Sequence, residues 1–264
     1  MGEKLSNAPL YYTVAQVQFN PILDLDGYIP AIQAKMREAH FPDFKQEVLQ
    51  RLVLPFGGME SNQMVAPTIT PQRRYLFGDI TGRSLFLLET NTLSFRTTNY
   101  DTFETFSEAL LKGVSILHDA LRLDFIERIG LRYLDAVQPK EGESLQNFLE
   151  PKMLGLALRD EGQLQHSMSE TVVMTSIGCQ LISRVLIRHG HIGLPMELSG
   201  SSPIINPRFT QTESLHAIVD TDASITRREE FELAKVSAQL AALHEEIDQC
   251  FRATVTKQAW ASWA

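Results

Sequence analysis

The sequence predicts an α+β fold with mainly antiparallel sheets and with amphipathic helices packed on one face. Some segments carry apolar residues at every second position, and others carry them at every third or fourth position. These are the periods of strands and of helices. Short polar turns connect several of the strand-like segments, which favours antiparallel pairing.

An opening strand is predicted at Tyr12–Asn20 and a helix at Tyr28–Ala39, where Pro30 is tolerated in the first turn. The segment Phe41–Gln72 is interrupted by prolines and glycines. We expect it to cross the surface as a lid or as a partner-binding loop.

The middle of the chain predicts a three-stranded meander that is followed by a helix and a fourth strand. A hairpin is expected between Tyr75–Gly78 and Leu85–Glu89, and the third strand begins at Leu93. Asp101 and Glu104 have capping-box spacing, which predicts a helix start. The apolar stripe of this helix is Phe103, Phe106, Leu110, Val114, Leu117 and Leu121. The fourth strand places one apolar side on Ile129, Leu131 and Tyr133, and Gly130 marks a bulge or a close approach of another backbone.

A polar break at Pro139–Glu143 divides the chain into an N-terminal half, residues 1–138, and a C-terminal half, residues 139–264. In the second half, Thr226 and Glu229 repeat the capping-box spacing before a long helix. The other elements expected there are short helices at Leu145–Leu158, strands at Gln165–Thr175, Gln180–His189 and Leu215–Thr221, a loop at Gly190–Phe209, and a last helix with Trp260 and Trp263.

The two halves echo each other in pattern, since a hairpin, a third strand and an amphipathic helix occur at residues 74–121 and again at residues 165–251. This predicts two similar βββα halves. They either share one continuous sheet, as a single domain, or face each other around a cleft.

Composition excludes several functions. The net charge of −8 argues against general nucleic-acid binding, which needs a clustered positive surface. The two cysteines have no partner motif, so neither a disulfide scaffold nor a thiolate metal site is expected. With no signal peptide and no apolar run of membrane length, we expect a cytoplasmic protein that does not enter a membrane. No cofactor motif is present, and none is expected.

Two groups in the C-terminal half suggest metal or acid–base chemistry. His189 and His191 are two apart, so on a strand they would share a face and could bind a divalent metal. Asp220 and Asp222 are expected to end a strand before a helix, where they could hold a metal ion or act as acid and base. Their alternative role is to cap a turn or to favour the positive helix end.

A row of arginines suggests a binding site for carboxylates or phosphates. Arg128 and Arg132 lie on the fourth strand with Asp135, and Arg184 and Arg188 lie on another strand. Guanidinium groups on one sheet face could bind anions bidentately, and Tyr133 belongs to this candidate site. Alternatively, the arginines form a solvated sheet face and pair with neighbours such as Glu127 and Glu170.

Several stretches together resemble a sporadically distributed family of uncharacterised prokaryotic proteins of similar length. They are Leu5-Ser6-Asn7-Ala8-Pro9, Glu127-Arg128-Ile129-Gly130-Leu131-Arg132-Tyr133-Leu134-Asp135, Asp220-Thr221-Asp222, and Leu243-His244-Glu245 with Phe251 and Val255-Thr256. The resemblance covers essentially the whole chain. It implies a cytoplasmic bacterial or archaeal protein, and a patchy distribution is typical of defence-associated and toxin–antitoxin genes.

The sequence therefore predicts a non-enzymatic component that binds a protein partner or a small ligand. It is expected to act as an accessory or neutralising partner in a prokaryotic defence or toxin–antitoxin system, and its acidic charge suits a basic partner. No nucleophile motif is present. The alternatives are a metal-dependent hydrolase that uses the His and Asp residues of the C-terminal half, and a small-molecule pocket between the halves lined by Arg128 and Arg132.

Overall fold

The computed structural model describes residues 6–53, 68–158 and 164–264. In these residues nine strands form one sheet. The strands are β1 (Leu10–Phe19), β2 (Asp43–Val53), β3 (Thr68–Gly78), β4 (Ser84–Glu89), β5 (Thr92–Thr97), β6 (Phe125–Val137), β7 (His166–Met174), β8 (Gln180–Gly190) and β9 (Ser214–Glu230). The α-helices are α1 (Ile29–Glu38), α2 (Phe103–Leu121), α3 (Pro151–Leu154), α4 (Met196–Ser199), α5 (Pro207–Thr210), α6 (Leu233–Thr254) and α7 (Lys257–Trp263). Short 3-10 helices occupy Asp26–Tyr28, Leu145–Asn147 and Gly155–Leu158.

The sheet order is β2-β3-β4-β5-β1-β6-β9-β8-β7, and every neighbouring pair is antiparallel. The predicted α+β class with antiparallel pairing is confirmed. The meander β3-β4-β5 leads to β1 in the same order as β7-β8-β9 leads to β6, and a long helix follows each meander. The echo between the halves is therefore present in the topology, and both halves contribute to one continuous sheet.

One face of the sheet, which we call the helix face, is covered by α1, α2 and α6. The predicted stripe of α2 is buried at Phe106, Leu110, Val114 and Leu117, and α6 buries Val236, Leu240, Leu243 and Ile247. They pack over the apolar side of β6, which includes Ile129 and Leu131. Burying each such side chain stabilises the fold by about 1.5–3 kcal/mol, which is more than a helix cap contributes.

The opposite face, which we call the open face, is crossed by residues 191–213, which we call the crossing segment. Its apolar residues Ile192, Leu198 and Phe209 pack with Tyr12 and Leu134 of the sheet. Polar contacts fix it along its length: Tyr11 donates to the carbonyl of Gly193 (2.9 Å), Arg96 donates to the carbonyl of Gly200 (3.0 Å), and the Ile204 amide donates to the carbonyl of Gly82 (2.8 Å). The segment thus ties β8 to the strands of the other half.

Two predictions about β9 and α6 are wrong. Asp220 and Asp222 do not end a strand, because β9 continues for 17 residues as far as Glu230. The predicted capping box at Thr226–Glu229 is part of this strand, and α6 begins at Leu233 after Glu232. The reason is a long-range strand pairing, because this charged stretch pairs with Ile126 and Arg128 of β6. The ladder hydrogen bonds replace those that a helix would supply.

The prediction that Phe41–Gln72 is irregular is also wrong at both ends of the segment. Asp43–Val53 is β2, and it pairs along its whole length with β3, which begins at Thr68. Pro42 precedes the first strand, and Pro71 lies inside the second opposite Gln50. The prolines therefore made the segment look irregular in the sequence, although its two strands pair with each other. Residues 54–67, the middle of the segment for which a lid or a partner-binding loop was predicted, lie outside the described residues.

The start of α2 is displaced by one residue from its predicted position. Thr102, and not Asp101, is the N-cap, and its hydroxyl accepts from the Thr105 amide (3.2 Å). The Thr105 hydroxyl accepts in turn from the Thr102 amide (3.3 Å). The capping box is therefore built from two threonines. Among the described residues, no helix combines the length and apolarity needed to cross a bilayer.

Candidate ligand sites on the two faces of the central strands

The predicted site residues of β6 separate onto the two faces of the sheet, because successive side chains of a strand point in opposite directions. Arg132 is on the open face beneath the crossing segment, where it bonds Glu197. Tyr133 and Asp135 are on the helix face, where they line a cavity beside α6. The structure thus places two candidate sites back to back.

A buried ion pair joins β6 to β9 on the open face. The guanidinium of Arg132 donates to both carboxylate oxygens of Asp220, at 2.7 and 2.6 Å, and to Glu197 of α4 at 2.9 Å. Arg132 is 9% exposed and Asp220 is 6% exposed. Burial alone would lower the pKa of Arg132, but its hydrogen bonds to Asp220 and Glu197 and the charge of Asp220 outweigh burial and raise it. The guanidinium of Arg132 is therefore held in its charged form, and both partners are shielded from water.

Two further arginines extend this cluster along β8. Arg184 donates to Glu170 of β7 at 2.5 Å, and its Nη1 lies 3.6 Å from Asp220. Among the residues that the structure describes, Arg188 donates to one acceptor, the backbone carbonyl of His191 at 3.1 Å. Its Nε is buried without a hydrogen-bond partner. Within the described residues, no carboxylate lies within ion-pair distance of Arg188.

A cavity of about 440 Å³ lies between these arginines and the crossing segment, and we call it the arginine pocket. Its polar lining is Arg132, Arg184, Arg188, Glu197 and Asp220, and Met168 contributes to its apolar wall. Three guanidinium groups therefore face two carboxylates. Three arginines of the predicted row, Arg132, Arg184 and Arg188, therefore line one cavity.

Arg128 and Asp222 were predicted to share this site, but neither is among the residues that line the arginine pocket. Arg128 donates to Gln16 at 3.1 Å, and its guanidinium lies over Gly130. A Cβ at Gly130 would stand 2.8 Å from Nη1 of Arg128, so a side chain, and not a second backbone, makes the close approach predicted for this glycine. Burial raises the pKa of Asp222, and the charges of Arg132 and Arg128 oppose this shift.

The second cavity, on the helix face, has a volume of about 340 Å³, and we call it the aspartate pocket. It lies where β1 begins and β6 ends, between the N-terminal turn of α2 and α6. The lining residues that matter chemically are Tyr100, Tyr133, Asp135, Arg208, His244 and Asp248. Asp135 was predicted to lie with the arginines of β6, but it faces the other way.

A chain of hydrogen bonds forms one wall of the aspartate pocket. The hydroxyl of Tyr133 lies 3.1 Å from that of Tyr100 and 3.0 Å from Nδ1 of His244. The imidazole stacks on Phe103, with ring centroids 4.1 Å apart. Burial lowers the pKa of His244 and raises the pKa of Tyr100 to about 12. All three groups are therefore neutral near pH 7 and offer hydrogen bonds without charge.

The predicted histidine metal site gains no ligand set from the structure. His189 is exposed, with Nδ1 3.7 Å from the carboxylate of Glu213, and Nδ1 of His191 lies 3.1 Å from the carbonyl of Thr210. Over residues 6–53, 68–158 and 164–264, no three His, Cys, Asp or Glu side chains are grouped so that they could hold a metal ion. Asp220, the proposed carboxylate partner, is bonded to Arg132.

Tyr100, His244 and Arg208 were not identified as site residues from the sequence. Each comes from a different part of the chain, so no local motif unites them. Asp135 did carry a signal that can be read in the sequence, because its position continues the apolar register of Ile129, Leu131 and Tyr133. A carboxyl group in a buried register marks a functional candidate.

Comparison with known proteins leaves the site to be interpreted from its geometry. No family model matches this chain, and no curated protein matches it.

Proposed function

We propose that this chain is a non-enzymatic binding protein that takes a small anionic molecule in the arginine pocket. The observation that carries the proposal is Arg188, which lines the cavity, has no carboxylate partner among the described residues, and has a buried Nε without a hydrogen-bond partner. An unsatisfied buried donor of a charged group costs about 1–3 kcal/mol or more. A carboxylate or phosphate of a ligand would remove that cost.

The neighbouring arginines favour the same class of ligand. Arg132 is held in place by Asp220 and Glu197, so it is fixed before a ligand arrives. Arg184 uses its Nε on Glu170, which leaves other guanidinium hydrogens for an anion. Preorganised guanidinium groups bind planar or tetrahedral anions with two parallel hydrogen bonds. Met168 and Leu186 offer an apolar wall for the body of such a ligand.

Isothermal titration calorimetry with inorganic phosphate, succinate and adenosine monophosphate tests this proposal. We expect at least one probe to bind, and Arg188→Met to weaken its binding by about tenfold or more, which corresponds to about 1.4 kcal/mol. Arg128→Met is the matched control, because Arg128 shares the open face but lies outside the pocket, and it should bind as the wild type does. Binding that is unchanged in Arg188→Met, or absent for all three probes, would contradict the proposal.

A protein partner is the second candidate, and the edge strand β7 favours it. Its side chains Met168, Val172, Val173 and Met174 are 64%, 50%, 46% and 68% exposed. An exposed apolar edge strand is a surface on which another chain can add a strand. The acidic charge of the chain suits a basic partner, and a neutralising role in defence or in a toxin–antitoxin pair is the narrower form of this proposal.

Co-purification from the native host tests the second candidate. We expect a stoichiometric basic protein to be retained by the wild type and to be released by the double substitution Val172→Lys and Met174→Lys. The pair Thr171→Lys and Ser169→Lys is a control on the same strand that leaves the apolar side chains in place. Purification of the chain without any partner would count against this role.

A further inference from the structure

Apolar side chains of the arginine pocket form a row across three strands. In the register of the sheet, Leu186 of β8 lies opposite Met168 of β7 and opposite Ile218 of β9, and all three line the cavity. We call these three residues the apolar row. Neighbouring strands are about 4.8 Å apart, so the row extends for about 10 Å across the open face.

Two arginines border the apolar row along β8. Arg184 and Arg188 lie two residues before and two residues after Leu186, so all three side chains are on the same face of the strand. Arg184 already donates to the carboxylate of Glu170. Arg188 has no carboxylate partner within the part of the chain that the structure describes. The apolar row therefore lies beside the guanidinium that is best able to accept an anion.

The crossing segment lies over the same cavity and adds apolar groups from its own side. Leu194, Pro195 and Met196 line the cavity together with the apolar row. Met168 of the sheet is 64% exposed, and Met196 of the crossing segment is 88% exposed. Methionine side chains adapt their shape to what they contact. An apolar body in the cavity would therefore cover two large side chains that water now contacts.

We propose that the anion of the arginine pocket is a carboxylate with an unbranched apolar chain, which is a short-chain or medium-chain fatty acid. This inference rests on the proposed function and specifies its ligand. The carboxylate pairs with Arg188, and the chain lies on the apolar row beneath Leu194 and Met196. The cavity volume of about 440 Å³ is in the usual range for small-molecule sites.

Other ligand classes use the cavity less fully. Inorganic phosphate pairs with Arg188 but leaves the apolar row uncovered. A neutral hydrocarbon covers the row but leaves the buried Nε of Arg188 without a hydrogen-bond partner. An organic cation would lie beside three guanidinium groups. An aliphatic carboxylate satisfies both the guanidinium and the apolar row.

Isothermal titration calorimetry with butanoate, hexanoate and octanoate tests this inference. A buried methylene raises affinity by up to about fourfold, so we expect octanoate to bind about tenfold or more tightly than butanoate, with one molecule per chain. The uncharged 1-hexanol should bind about tenfold or more weakly than hexanoate. Inorganic phosphate is titrated in parallel, because its binding depends on the guanidinium and not on the apolar row.

Three variants locate the two ends of the ligand. Arg188→Met should weaken octanoate binding by about tenfold or more, because it removes the partner of the carboxylate. Met168→Gln keeps the length of the side chain and should weaken octanoate binding by about threefold or more, while phosphate binding changes by less than about twofold. Met174→Gln is the matched control, because Met174 is 68% exposed on the same strand but does not line the arginine pocket, and it should bind octanoate as the wild type does.

The outcomes separate this inference from the proposed function. Binding of phosphate without a gain in affinity from butanoate to octanoate would overturn the inference and leave the proposed function intact. Absence of binding by phosphate and by all three carboxylates would overturn both. Octanoate binding that is unaltered in Arg188→Met, or that is equally affected in Met168→Gln and Met174→Gln, would also overturn the inference, because the ligand would then lie elsewhere.

Discussion

Asp135 and Asp220 lie on the adjacent strands β6 and β9 and are equally buried, at 6% exposed each. Asp220 receives two hydrogen bonds from Arg132, whereas Asp135 receives none from a charged group in the part of the chain that the structure describes. The same residue type is therefore paired with a cation at one position, whereas burial raises its pKa at the other. A buried charge is tolerated when it is paired, and its proton is retained when it is not.

At the scale of the residue, Asp135→Asn should change the pH dependence of stability. The pKa of Asp135 is about 8 in the folded chain and lower when the chain unfolds. Between these values the folded state holds the extra proton, so stability falls as pH rises, by at most about 1.4 kcal/mol per unit. The asparagine variant lacks this loss. We therefore expect its free energy of unfolding to increase relative to that of the wild type between pH 5 and 8. Urea unfolding at several pH values measures the difference.

Asp220→Asn makes the same substitution at the paired carboxylate and should lower the stability of the fold. It leaves the guanidinium of Arg132 without its principal buried partner, which costs about 3–5 kcal/mol. If the stability of the wild type falls no more than that of Asp135→Asn over this pH range, the pKa of Asp135 is not raised in the folded chain.

At this scale the sequence predicted which residues share a face but not which of them bond. The period of β6 separates Arg132 from Tyr133 and Asp135 without any structure. The partners Asp220, Glu197 and His244 come from β9, α4 and α6, at sequence separations of 65 to 111 residues. Distances of this kind are set by the strand register, which a local pattern does not encode.

At the scale of the element, α2 lies very close to the sheet at Gly113. A Cβ at this position would stand 2.7 Å from Cζ of Phe86, a ring that is 1% exposed. Gly113→Ala gains about 1 kcal/mol of helix propensity. Overpacking costs about 1–3 kcal/mol, and we expect it to prevail because the ring is enclosed. Urea unfolding should therefore show a net loss of stability.

Glu108→Ala is the matched control on the same helix, because Glu108 is exposed and its replacement should change stability by no more than about 0.5 kcal/mol. If Gly113→Ala were as stable as this control, or more stable, the helix would have room to move away from Phe86. The close approach would then not be a packing constraint.

The amphipathic helices were predictable because their stripes span several turns within one segment. The strands β2 and β9 were predicted poorly because a distant partner completes them. Thr226–Glu229 has the local spacing of a cap, but β6 provides a continuous ladder for it. Local propensity is a weak determinant where tertiary pairing supplies more hydrogen bonds.

At the scale of the molecule, the boundary at residues 139–143 divides the sequence but not the core. The strand β6 of the first half pairs with β9 of the second at 12 positions, and α2 contacts α6 above them. The aspartate pocket takes Tyr100 from one half and His244 from the other. Separating the halves would expose a central strand edge on each side and would open that pocket.

We therefore expect residues 1–138 and 139–264, expressed separately, to lack cooperative thermal transitions, because each would present an unpaired central strand and an uncovered apolar face. In the full chain, tryptophan fluorescence and far-ultraviolet circular dichroism should give the same urea midpoint. Trp260 and Trp263 report only the second half, whereas circular dichroism reports both. A fluorescence midpoint that differs from the dichroism midpoint, or a cooperative transition in either fragment, would mean that the halves fold independently. The shared sheet would then be a docking of two domains, and the aspartate pocket would open whenever they separate.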